Sequence, residues 1–213
     1  MRPDVSRVFT SLISSLDGRP VCYLSTPITS GLRELELTAS LGAADVRDLR
    51  TRFPSRWRRD VLEANEHAAR QCAARLRAAL PDRQVLNPAD TEQPGWSQDS
   101  YDELWAAVLQ KIRPVIAPAP GWAYSRGARK EIALALLTGL SFVSLDGEPI
   151  NSSAIRAEWT QADSAIATQH WDAFMAPLPS APPIMRPATR QAPGSARPQY
   201  ATTAASLLTF RHA

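Results

Sequence analysis

Four short apolar runs alternate along this chain with longer stretches of helical periodicity, and that alternation limits the fold more than any other feature. The runs occupy residues 20–25, 84–86, 115–117 and 142–145, and turn residues (Thr26-Pro27, Asn87-Pro88, Asp146-Gly147) stop three of them. Nearly continuous apolarity over so few residues predicts strands buried on both faces. Between them, Leu62, Ala69, Cys72, Leu76 and Leu80 recur at three- and four-residue intervals. Leu104, Val108 and Ile112 do the same, as do Ile132, Ala135 and Leu136. Gly139 is placed to cap the last of these helices. The order β-α-β-α-β-α-β predicts a three-layer α/β fold. Its flavodoxin- or Rossmann-like parallel sheet has four to five strands, helices on both faces and right-handed crossovers.

Two segments break the alternation. Residues 29–60 form an Arg-rich insertion, with Arg47, Arg50, Arg52, Arg56, Arg58 and Arg59 interleaved among Asp45, Asp48 and Asp60. One or two solvated helices is the simpler reading; a lid that brings an arginine over an anionic ligand is the sharper one. After a final helix predicted over 153–175, seven prolines fall within residues 177–198 without periodicity. This divides the chain into an α/β domain over 1–176 and a Pro/Ala-rich tail, residues 177–213, expected to be disordered.

Composition narrows the function classes. The formal net charge of the 213 residues is +3, but no acidic residue follows Asp172 while Arg186, Arg190, Arg197 and Arg211 do, so the tail carries the surplus. Nucleic-acid binding is correspondingly a weak reading. Cys22 and Cys72 read as reduced thiols in a strand and a helix, and His67, His170 and His212 are scattered, which gives a metal site little support. No window approaches the roughly 18 apolar residues of a membrane span. The expectation is a soluble cytoplasmic protein with no membrane partner.

In such a sheet the strand ends share one edge, and ligands bind there. Strand one ends in Tyr23, Ser25, Thr26 and Pro27, strand two in Asn87, and strand three runs into a loop and helix containing Gly121, Trp122, Ser125, Gly127 and Glu131. Gly121 and Gly127 allow backbone to approach a ligand, and Ser125 can cap the helix, contact a phosphate, or do both. Glu131 has two readings, a solvated glutamate or a nucleophile kept ionised by the helix dipole near the first turn. A capping role fits poorly, because the position three residues after Ser125 is Ala128. Trp96, Trp105 and Trp122 read as packing residues or as surfaces for stacking a base. Asp99 and Asp102 read as helix N-caps, or as a second carboxylate facing Glu131.

The pattern Tyr23-Leu24-Ser25-Thr26-Pro27, then Asn87-Pro88-Ala89, then Gly121-Trp122-x-x-Ser125-x-Gly127-Ala128-x-x-Glu131-x-x-x-Ala135 resembles the nucleoside 2-deoxyribosyltransferase-like superfamily. That superfamily includes the deoxynucleoside 5′-monophosphate N-glycosidases. The resemblance spans residues 20–145, with Ser-x-Gly-x-x-x-Glu its most specific piece; Arg113 and the long insertion depart from the pattern. It implies that Glu131 attacks the anomeric carbon, that Tyr23 orients it, that Asp99 or Asp102 assists the leaving base, and that Ser125 contacts a 5′-phosphate. Ser25, Thr26, Pro27, Asn87, Trp96, Gly121, Trp122 and Gly127 complete the candidate binding set. The implied ligand is a small nucleoside or nucleotide, cleaved or transferred at its N-glycosidic bond with no metal or organic cofactor. The site is completed, in many small members, across a dimer. Two alternatives are an NAD-cleaving enzyme, with the basic insertion on the pyrophosphate, and a non-catalytic nucleotide sensor.

Overall fold

A computed structural model describes residues 1–16, 18–171 and 181–182. Its sheet has five strands: β1 (Val21–Ser25), β2 (Gln84–Leu86), β3 (Val115–Pro118), β4 (Phe142–Val143) and β5 (Pro149–Ile150). They lie in the order β2-β1-β3-β4-β5. The first four are parallel, and β5 returns antiparallel against β4. The α/β expectation holds, with that antiparallel edge strand as an addition to it.

Eight α-helices surround the sheet among the described residues: α1 (Pro3–Ser15), α2 (Leu32–Ser40), α3 (Val46–Arg52), α4 (Pro54–Trp57), α5 (Ala64–Ala79), α6 (Gln98–Ile112), α7 (Arg126–Thr138) and α8 (Ser152–Thr168). A π-helical turn, Arg58–Glu63, joins α4 to α5. Helix α7 ends where Gly139 takes φ +67°, a left-handed cap that glycine adopts without strain.

Strand β1 is buried along its whole length, and its period of two divides its side chains between the two layers. Val21 and Tyr23 join the larger core, with Leu104 and Trp105 of α6, Ile132 of α7 and Trp159 of α8. Cys22 and Leu24 face the opposite layer, with Ala73 and Leu76 of α5. Burial pushes the Cys22 thiol up to about 11, so it is a small apolar packing group there, although the Arg83 charge opposes the shift slightly. Because β2 and β3 flank β1 on opposite sides, the chain reverses its direction of travel across the sheet at β1. The crevice at such a reversal is where open α/β sheets bind ligands.

Several boundaries differ from expectation. Residues 1–19 were assigned no element, yet α1 covers most of them, because Val5, Val8, Phe9 and Leu12 form an apolar stripe against the core. Helix α6 begins at Gln98 and α7 at Arg126, each more than one turn before its first periodic apolar residue. Helix α8 ends at Thr168, and the expected remainder to 175 lies mostly outside the described residues. Apart from Ala181 and Pro182, so does the expected tail. The insertion holds three short helices rather than one or two. It has a small core of its own in Leu37, Ala43, Leu49 and Val61, with Asp45 capping α3 through the Asp48 N–H. Among the described residues no helix is long and apolar enough to cross a membrane.

Candidate functional site

Tyr23 and Ser25 sit two apart on β1 and therefore point the same way, toward α7. The Tyr23 hydroxyl donates to Oε1 of Glu131 at 2.7 Å, and the Ser25 hydroxyl donates to Oε2 at 2.7 Å. Both carboxylate oxygens are thus held by groups more than 100 residues away in sequence. Parallel pairing of β1 with β3 sets the geometry, since β3 leads through a short turn directly into α7.

The dipole reading of Glu131 needs correction. The residue is the sixth of α7, past the first turn where exposed N–H groups act. Burial dominates instead and pushes its carboxyl up to about 7; the hydroxyls of Ser25 and Tyr23 oppose the shift, and the Asp102 charge adds to it. Tyr23 is pushed well above the usual phenol range, first by burial and then by the Glu131 charge, so it remains a donor.

Of the two aspartates proposed to assist, the structure brings Asp102 to Glu131 and leaves Asp99 outside. Asp99 is exposed in the first turn of α6, beside a cap formed by Ser97. Asp102 is one turn further on, where its side chain lines the cavity with Glu131. Its oxygens accept from Lys130 Nζ at 2.5 Å and Gln98 Nε2 at 2.9 Å.

These groups line a cavity of about 600 Å³, within the range of small-molecule sites. Thr26, Ser125, Gly127, Asp102 and Glu131 line it, while Tyr23 and Ser25 stand behind Glu131. Ser125 caps α7 by accepting the Ala128 N–H at 3.5 Å, and its hydroxyl meets that of Ser30 at 3.1 Å. A Cβ built on Gly127 meets nothing nearer than Gln98 Nε2 at 4.0 Å, so the space over the start of α7 is open.

Besides Tyr23 and Ser25, six candidates do not line this cavity: Asp99, Pro27, Asn87, Trp96, Gly121 and Trp122. Pro27 is buried under Gly31, where a Cβ would approach the proline ring to 3.1 Å. Asn87 is buried and caps the turn after β2, accepting from the Ala89 N–H; its neighbours Pro88 and Ala89 reach the cavity in its place. Trp96 packs edge-on against Tyr101 with ring centroids 5.2 Å apart, and Trp122 against Trp159 at 5.4 Å. Gly121 supplies the positive φ of +77° that starts the turn of Trp122. Of the three tryptophans weighed for stacking, Trp105 alone lines the cavity, with its ring edge-on to Tyr23 at 5.5 Å.

The opposite wall comes from the insertion. Glu34 of α2 is 4% exposed, and its Oε1 accepts from Arg50 Nη2 at 2.7 Å and Trp57 Nε1 at 2.9 Å. Its carboxyl is nevertheless raised, because burial outweighs Arg50, Trp57 and the Arg126 charge. Arg47, Arg50, Arg126 and Lys130 also line the cavity and were absent from the candidate set. The alternation of arginine and aspartate was visible in sequence, but nothing there marks which arginines turn inward. Among the described residues no group of three or more His, Cys, Asp or Glu side chains is placed to hold a metal ion. No protein-family model, curated protein or solved structure matches the chain.

Proposed function

We propose that the protein cleaves or transfers the N-glycosidic bond of a nucleoside or nucleoside 5′-phosphate, with Glu131 as the nucleophile. The observation that carries this reading is the grip of Tyr23 and Ser25 on both oxygens of a largely enclosed carboxylate that opens on a ligand-sized cavity. Fixed donors of this kind hold the nucleophile on one approach line and remove the cost of ordering it during reaction. The mechanism has two displacements. A carboxylate oxygen of Glu131 forms a bond to C1′ as the C1′–N bond breaks, and the bonding pair leaves with the base, which takes a proton from water. Water, or a second base, then attacks C1′ and releases Glu131. The proton of that water neutralises the hydroxide left when the base took its proton.

The nucleophile must be ionised, so kcat/KM should rise with pH through about 7 and level off above it. A screen for base release over nucleosides, nucleoside monophosphates and NAD tests the reading. Release from at least one class, with that rising limb, is the expected result. Tight ligand binding without release from any class would instead mark the pocket as a sensor.

A further inference from the structure

Of the four cationic side chains that line the cavity, two are committed to carboxylates, Arg50 and Lys130. Glu34 is taken by Arg50, and Glu66 accepts from Arg70 Nη2 at 3.1 Å. Asp102 is taken by Lys130. Besides Glu131, that leaves Glu92 on the loop after β2 as a carboxylate on the lining. Among the described residues, Arg47 and Arg126 have no hydrogen bond or ion pair, although thirteen other arginines do. The two come from different walls, Arg47 from α3 and Arg126 from the first position of α7. They belong to one neighbourhood: Arg47 lies one helical turn before Arg50, which bonds Glu34, and Glu34 feels the Arg126 charge. The Ser30 and Ser125 hydroxyls lie on the same cavity lining. Val46, the chain neighbour of Arg47, and Leu62 add apolar side chains to the lining.

We infer that the cavity takes a nucleoside ligand carrying a pyrophosphate on its 5′ side, bridged between Arg126 and Arg47. Guanidinium groups are suited to this because each can present two parallel N–H donors to one phosphate. Two of them from different walls of one cavity match two linked phosphates better than one. The orientation rests on the glycosidic reading, which places C1′ at Glu131; the anion subsite itself does not. Either a nucleoside diphosphate or a dinucleotide supplies the pyrophosphate, and the apolar Val46 and Leu62 give a second nucleoside somewhere to lie.

The test uses the full chain as Glu131→Gln, which binds without turning over, titrated calorimetrically. The probes are nucleoside 5′-monophosphates, the matching diphosphates, NAD, inorganic phosphate and inorganic pyrophosphate. Pyrophosphate-bearing ligands should bind about tenfold or more tighter than their monophosphates, and pyrophosphate tighter than phosphate. Arg47→Ala should erase that ratio. NAD binding above the diphosphates would assign a dinucleotide, and the reverse a nucleoside diphosphate. Equal affinity for mono- and diphosphates, or a preference unmoved by Arg47→Ala and Arg126→Ala, would overturn the inference. An arginine-dependent preference in a protein that releases no base would uphold the subsite and overturn the glycosidic reading alone.

Discussion

Two glutamates line the same cavity, Glu34 buried and Glu131 half-buried, and desolvation pushes both carboxyls up. Glu34, in the insertion, is bonded by a guanidinium and an indole N–H, which bind α2, α3 and α4 together. Glu131, at the sheet edge, is held by two neutral hydroxyls. Charge partners use up a carboxylate, whereas hydroxyls orient it and leave its charge available to a ligand. The insertion glutamate therefore reads as a structural tie and the sheet-edge glutamate as a reactive group, although sequence offers no way to rank them.

The comparison breaks most sharply on turnover. Glu131→Ala should lower base release on the order of 10³-fold or more, the usual scale for removing a covalent catalyst. Near-normal single-turnover rates in that variant would assign the nucleophile elsewhere.

Stability should respond with opposite sign at the two sites. A carboxyl raised from 4.5 to about 7 in the folded state binds its proton there while the unfolded chain has released it. Its contribution to stability therefore falls as pH rises across that window and is constant above it. Glu131→Gln should remove this penalty, making the variant more stable than the native chain by up to about 3 kcal/mol above pH 7 and by little below pH 4.5. Denaturant titrations at pH 4.5 and 8 check it, and an advantage that does not grow with pH would contradict the assignment. Glu34→Ala should instead destabilise, by about 2 kcal/mol, because the Trp57 indole and Arg50 lose their acceptor. The figure stays well below that of a fully buried pair because the Arg50 side chain is 41% exposed. Urea midpoints measure it; an unchanged midpoint would mean the insertion holds its shape without this tie.

The smallest effect expected is at Ser125. Its capping bond is long, at 3.5 Å, so Ser125→Ala should cost only about 0.5–1 kcal/mol. If the hydroxyl also meets a 5′-phosphate, the preference for monophosphate over free nucleoside should erode in the same variant. A preference left intact would confine Ser125 to capping.

The strands at 21–25, 84–86 and 115–118 were legible because each is an apolar run closed by turn residues. Strand β5 was not, since two residues, Pro149 and Ile150, carry no periodicity. Helix α1 was legible in principle: its stripe of Val5, Val8, Phe9 and Leu12 has helical spacing. At the site, Tyr23, Ser25 and Glu131 were named from residue type and strand-end position. Asp99 and Asp102 could not be separated, because three residues apart on one helix is nearly one turn, and only the helix's rotation against α7 decides which faces Glu131. Trp96 and Trp122 misled for a related reason. An aromatic near a strand end serves a core as well as a ligand, and here the partners Tyr101 and Trp159 take them.

The sequence by itself determined the layered α/β architecture and the edge at which the candidate side chains gather, because hydrophobic periodicity is local and topology follows from it. Tertiary structure alone decided how each group is set for chemistry. Protonation, pairing and orientation depend on burial and on neighbours brought in from distant positions, as when β1 delivers two hydroxyls to a carboxylate on α7. The same holds for the arginines, since all those in the insertion look alike in sequence. Only the packing of α3 against α2 shows that Arg50 is committed to Glu34 while Arg47 faces the cavity with its charge unspent.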